Sequence, residues 1–205
     1  MIVYIIYSLV VLFATTIGSC AGLGGGVIIK PVLDLVGMHD ISTISFLSTS
    51  SVFAMAIYST IKQISNCQQF NYKMVICIAS GSALGGIIGN KLFSALLNIF
   101  SEPFLKFIQA ILLILLLIYV LVSKLCAKRK SIKEKHVIIV GLLLGMISSF
   151  LGIGGGPINV AVFVMLFSMD FKEAAIYSIF TILFSQCAKL LTIFFTTGFA
   201  IYDCS

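Results

Sequence analysis

Long uncharged apolar runs, separated by short charged connections, divide the chain into six elements at residues 2–36, 41–61, 72–92, 103–123, 137–168 and 172–200. The first 29 residues carry no charge, and uncharged runs recur between Asp40 and Lys62, Lys73 and Lys91, Lys106 and Lys124, and His136 and Asp170. Each is long enough, or nearly so, for the roughly 17–25 residues of a spanning helix. The first and fifth elements are too long for one straight span. About 33 helical residues would reach about 50 Å, against a hydrocarbon core of about 30 Å. These two elements are therefore expected to be broken, tilted or partly re-entrant.

The same two elements share a motif. GLGGGVIIK begins at Gly22 and GIGGGPINV at Gly152, 130 residues later. That register also pairs Ile17 with Ile147, Ser19 with Ser149, Asp40 with Asp170 and Ser48 with Ser178. The prediction is an all-α polytopic membrane protein of two tandem helical repeats, 1–130 and 131–205, each with a glycine-broken first helix. Carried forward, the register puts counterparts of the third and fourth elements at about 201–253. The second repeat is thus expected to be truncated, as a natural short form, a fragment of a longer reading frame, or one half of an assembly that a homo-oligomer completes.

Composition agrees with a lipid solvent: 60% of the 205 residues are hydrophobic and 10% charged, against roughly 45–50% and about 25% in soluble domains. The net charge of +6 does not point to nucleic acid. Six of its basic residues, Lys124, Lys128, Arg129, Lys130, Lys133 and Lys135, crowd one connection, which the positive-inside rule places in the cytoplasm. If every element crosses once, Lys62 and Lys73 also lie inside, the N-terminus is cytoplasmic and the repeats are parallel. If the glycine element turns back, parity changes and the repeats are inverted. A lipobox-like Ile17-Gly18-Ser19-Cys20 lacks a basic n-region and ranks behind a first membrane helix. The six cysteines form no CxxC pair or His cluster, so neither disulfide framework nor metal site is assigned. His39 and His136 stand without a nucleophile or ligand constellation, and neither enzymatic chemistry nor a cofactor is expected.

Candidate binding residues gather at the glycine runs. Gly24, Gly25, Gly26 and Gly154, Gly155, Gly156 each cost a helix about 1 kcal/mol relative to alanine and expose backbone amides. Such a break is tolerated in a membrane where it lines a cavity or is buried in protein. Pro157 suits the first turn of a restarting helix, and Pro31 is a weaker version. A restarting helix aims free N–H groups and its positive dipole end at the break, favouring an anion. A dinucleotide fingerprint is excluded, because Val27 or Pro157 replaces the third glycine and no strand precedes. Lys30, one turn on, either complements an anion or snorkels to the outer interface, and both readings stand. Its register partner is Val160, while Asn159 occupies the equivalent turn and either donates to an oxyanion or bridges helices.

Ser48 and Ser51 correspond to Ser178 and Thr181, a spacing of three that puts each pair on one helical face, plausible lining for a polar path, although such hydroxyls also bond back to their own backbone. Asp40 and Asp170, the latter with Glu173, read as helix N-caps. Gly81, Gly85 and Gly89 form a helix-packing stripe, and Lys189 is read as snorkelling to the inner side.

Together GLGGGVIIKPVL, the second GIGGGP, the hydroxyl-bearing helices after each and the basic mid-chain connection resemble the sulfite exporter TauE/SafE family, also called the 4-toluene sulfonate uptake permeases. The resemblance implies seven or eight membrane helices in two related halves. It also implies a cell-membrane permease for small anionic sulfur compounds such as sulfite or organosulfonates, coupled to an ion gradient. On the motif positions it carries over Gly22, Gly24, Gly25, Gly26 and Pro31, with Gly152, Gly154, Gly155, Gly156 and Pro157. The competing expectation is a non-transporting membrane fragment or accessory subunit whose glycines only pack helices.

Overall fold

The computed structural model describes residues 2–21, 24–36, 40–65, 71–126 and 136–196. Gly22, His39, Cys67, Cys204 and the basic connection from 127 to 135 lie outside the described residues. Those described form α1 (Ile2–Ala21), α2 (Gly26–Val36), α3 (Ile41–Ser65), α4 (Tyr72–Ile99), α5 (Glu102–Cys126), α6 (Val137–Leu151), α7 (Gly156–Phe167) and α8 (Phe171–Thr196). The six apolar elements are present, and the two overlong ones are each split in two at their glycine runs. By length and composition α3, α4, α8 and the first 18 residues of α5 qualify as membrane spans among the described residues.

Backbone geometry explains the splits. Gly24, Gly152, Gly154 and Gly155 adopt φ of 59°, 67°, 76° and 69°, left-handed conformations in which a Cβ is strained and which end a right-handed helix. At the first break the chain reverses. A side chain on Gly25 would collide with the backbone of Ala14, and one on Gly18 with the backbone of Gly25. Asp34, near the end of α2, lies close enough to Tyr7, near the start of α1, for its charge to act on the phenol. Helix α2 therefore returns along α1. Tyr7, Ala14, Ile29 and Leu33 seal the hairpin in one apolar cluster with Val52 of α3 and Ile182 of α8.

Helix α8 runs through the centre, packing on α3, α4, α6 and α7, while α4 and α6 form the most extensive pair. That pair rests on the glycine stripe. A Cβ on Gly81, Gly85 or Gly89 would meet the carbonyl oxygen of Ile138, Leu142 or Met146, and Gly145 answers against the Ser82 carbonyl. Without a hydrophobic drive between helices in lipid, such close approach lets dispersion hold them together. Helix starts follow local chemistry. The Asn71 side chain accepts from the amides of Lys73 (3.1 Å) and Met74 (3.4 Å). The carbonyls of Asp40 and Asp170 accept the first bonds of α3 and α8 from Ile44 and Ala174, as N-cap positions do. The amide of Ile41 is met by the Glu102 carboxylate at 3.5 Å.

Candidate functional site

The two breaks meet inside the bundle. Gly26, at the start of α2, lies so close to Ile153 that a Cβ there would overlap the Ile153 carbonyl. A Cβ on Gly24 would press on Ile182 at 2.9 Å, and one on Gly154 on Val52 at 2.7 Å. In the 130-residue register Gly24 matches Gly154 and Val52 matches Ile182, so the two contacts are exchanged copies of each other. Gly18 against Gly25 likewise has its register copy in Ser148 against Gly155.

The end of α6 is the polar centre. A helix leaves its last four carbonyls without intrahelical donors, and here all four are satisfied. The Gly152 amide donates to Ser148 O (3.0 Å) and Ser149 O (3.2 Å). The Lys189 ammonium donates to Ser149 O at 3.0 Å, the Gln109 carboxamide to Phe150 O at 2.8 Å, and the Lys30 ammonium to Leu151 O at 2.6 Å. Lys30 also donates to Gln109 Oε1, and Lys189 to Ser45 Oγ at 2.8 Å. Both ammonium groups lie about 6 Å from the Phe93 ring centroid, at 6.0 and 5.8 Å. The negative end of the α6 dipole and the ring face favour cations here.

Both lysines are enclosed, Lys30 with 3% and Lys189 with 1% of its surface exposed. Of the two readings of Lys30, snorkelling is therefore ruled out. The inward-snorkelling expectation for Lys189 is corrected for the same reason: its side chain turns across the bundle to α3 and α6. The hydrogen-bond partners of the two ammonium groups are all neutral. Asp34 stands one turn from Lys30 on α2, close enough for their charges to interact, and its Oδ1 is buried without a hydrogen bond.

Around this centre the other expected residues divide. Asn159 is 0% exposed and neither its Oδ1 nor its Nδ2 has a partner; it stands beside Gly155 in the first turn of α7. Pro157 occupies that first turn too, where its missing N–H costs nothing. Pro31 lies inside α2 and lines a cavity with Lys30. Ser48 is buried with its hydroxyl unpaired, and Ser178 donates to Gly156 O at 3.3 Å. Ser51 and Thr181 instead bond back to Leu47 O and Tyr177 O, both at 2.8 Å, the ordinary habit of helical hydroxyls. Gln186 donates to Ser148 Oγ at 3.0 Å and keeps Oε1 unpaired.

Sequence reasoning missed Gln109, Ser45 and Lys189 as members of this centre. Gln109 did carry a signal, since a carboxamide inside the apolar run LKFIQAILLILLL is costly unless it has a partner. Beside Lys30 a cavity of about 550 Å³ opens between α2, α5 and the second break, with Lys106, Gln109, Leu113 and Ile153 on its walls.

The chain is 28% identical over 224 aligned positions to the probable membrane transporter protein YunE of Bacillus subtilis (strain 168), covering 89% of this chain and 75% of that protein. No solved structure gives a significant match. Residues 7–202 match the family described as sulfite exporter TauE/SafE; the chain is a multi-pass membrane transporter and belongs to that family.

Proposed function

We propose that this chain moves small anions, sulfite or organosulfonate-type sulfur compounds, across the cell membrane coupled to an ion gradient, binding them between the two glycine breaks. The observation that carries this reading is the convergence of Lys30 and Lys189 on the end of α6. Two enclosed ammonium groups with neutral hydrogen-bond partners leave positive charge that an anion completes, and uncompensated charge inside a membrane protein is expensive. Asn159, with unpaired amide hydrogens, and the unpaired Ser48 hydroxyl supply further donors, as does the amide-rich start of α7. The test is uptake of radiolabelled sulfite and short alkanesulfonates into proteoliposomes, with and without an imposed proton or sodium gradient. Saturable uptake is expected, reduced about tenfold by Asn159→Ala, the equivalent of one lost buried hydrogen bond. Folded protein that takes up none of these anions would leave the glycines as helix packing only.

We also infer that the repeats, 1–130 and 131–205, are inverted. The reversal of α1 into α2 and the exchanged glycine contacts support this reading. With the basic connection 124–135 in the cytoplasm, a hairpin that returns to its starting side followed by three crossings puts the N-terminus outside. This is opposite to the side given by six simple crossings. An epitope tag fused to the N-terminus is expected to bind antibody on intact spheroplasts. Binding only after permeabilisation would restore the cytoplasmic N-terminus.

A further inference from the structure

The cavity beside Lys30 is larger and more apolar than a small inorganic anion requires. Its polar groups are ordered along two helices. Lys30 is bonded to Gln109; one turn from each, Asp34 on α2 and Lys106 on α5 interact through their charges. In the other direction along α5 the walls become apolar, with Ala110, Leu113 and Ile114 facing Ile153 of the second break. At the rim Leu35, Phe107 and Ile114 are exposed, so the mouth opens sideways, toward hydrocarbon. Of the charges on the cavity walls, Lys30 and Lys106 against Asp34 leave a single positive charge, and Lys189 is not among the wall residues. A bare oxyanion would satisfy that charge but would be desolvated against apolar wall elsewhere.

We propose that this cavity seats the apolar body of an organic monoanion whose head is held at Lys30, and that the protein selects by the length of that body more than by the chemistry of the head. Resting on the anion-transport reading, this names the class of anion: one negative charge carrying a chain or ring, with carboxylate and sulfonate heads both accepted. A chain filling the apolar end removes its methylenes from water, each tightening binding about fourfold.

The experiment is equilibrium binding to the protein in lipid nanodiscs, using straight-chain carboxylates and sulfonates of two to ten carbons, with empty nanodiscs as the blank. In the wild type, affinity above the blank is expected to rise about fourfold per carbon until the cavity is full, with parallel slopes for the two heads. Ala110→Trp, which fills the cavity from α5, is expected to flatten the slope. An unchanged slope in Ala110→Trp would overturn the proposal, as would two-carbon anions binding as tightly as eight-carbon ones. So would a phospholipid that co-purifies with the wild type and is lost from Ala110→Trp, since the cavity would then hold bilayer lipid. Because the readout is binding, it stands apart from the uptake assay: a protein that transports nothing can still show the slope, and a transporter can lack it.

Discussion

Lys189→Met is expected to lower anion uptake about ten- to a hundredfold while the protein remains folded. Methionine fills a similar volume without charge, so the packing of α8 against α3 and α6 is kept. The carbonyl of Ser149 and the hydroxyl of Ser45 lose a donor, a cost of about 1–3 kcal/mol. Removal of an enclosed ammonium returns a desolvation penalty of comparable size, so little net change in stability is expected. The anion, by contrast, loses a charge-assisted partner worth roughly 1.5–3 kcal/mol, and the two-lysine centre loses half its charge. Thermal unfolding followed by size-exclusion fluorescence, alongside uptake per folded molecule, separates the two effects. Destabilisation with undiminished uptake would make Lys189 a structural cap of α6. Lys189→Arg is expected to behave like the methionine variant in uptake, because a rigid guanidinium does not fit a site shaped for a compact ammonium.

The second large effect is structural. Gly26→Val should destabilise the fold strongly, because a Cβ at position 26 overlaps the Ile153 carbonyl backbone. Overpacking of this kind costs about 3 kcal/mol or more, a fall in melting temperature on the order of 10 °C for a chain of this size. Ile76→Ala, on the exposed face of α4, is the matched control and is expected to change little. A Gly26→Val protein with wild-type melting would show that the two breaks are not pinned backbone to backbone. The same crowding makes glycine variants at the breaks poor probes of transport. Gly155, at φ 69° and with Ser148 2.9 Å from where its Cβ would stand, reports on folding before it reports on flux.

What the sequence made legible was whatever depends on a residue's own backbone or on its spacing. Consecutive glycines lose helix preference wherever they occur, so both interruptions could be placed. The four-residue spacing of Gly81, Gly85 and Gly89 defines a flat face whatever packs on it. The polar centre was harder to read because half of its atoms are main-chain carbonyls, which every residue carries and no letter marks. Lys30 meets Leu151 through such a carbonyl, and Lys189 meets Ser149 the same way. A position along a helix gives angle but not depth, so the sequence pattern sends Lys189 to an interface where the fold encloses it. The duplicated hydroxyls misled in part for a related reason. Ser51 and Thr181 share a register, yet each is occupied by its own helix. Reversal at the first break turns on Gly25 fitting against Ala14, a tertiary contact that no spacing or residue type marks.

The donors that close the end of α6 come from α2, α5 and α8, joined across 121, 41 and 40 residues of chain. Locally only the Gly152 amide caps that helix end; Lys30 and Gln109 are already made when α6 emerges, and Lys189 arrives only with α8. Contacts this distant in sequence form late, after the entropy of closing the intervening chain has been met. Until α8 docks, the Ser149 carbonyl lacks its Lys189 donor and the end of α6 is only partly closed. The contact between Lys189 and the end of α6 is thus among the last that the order of synthesis allows.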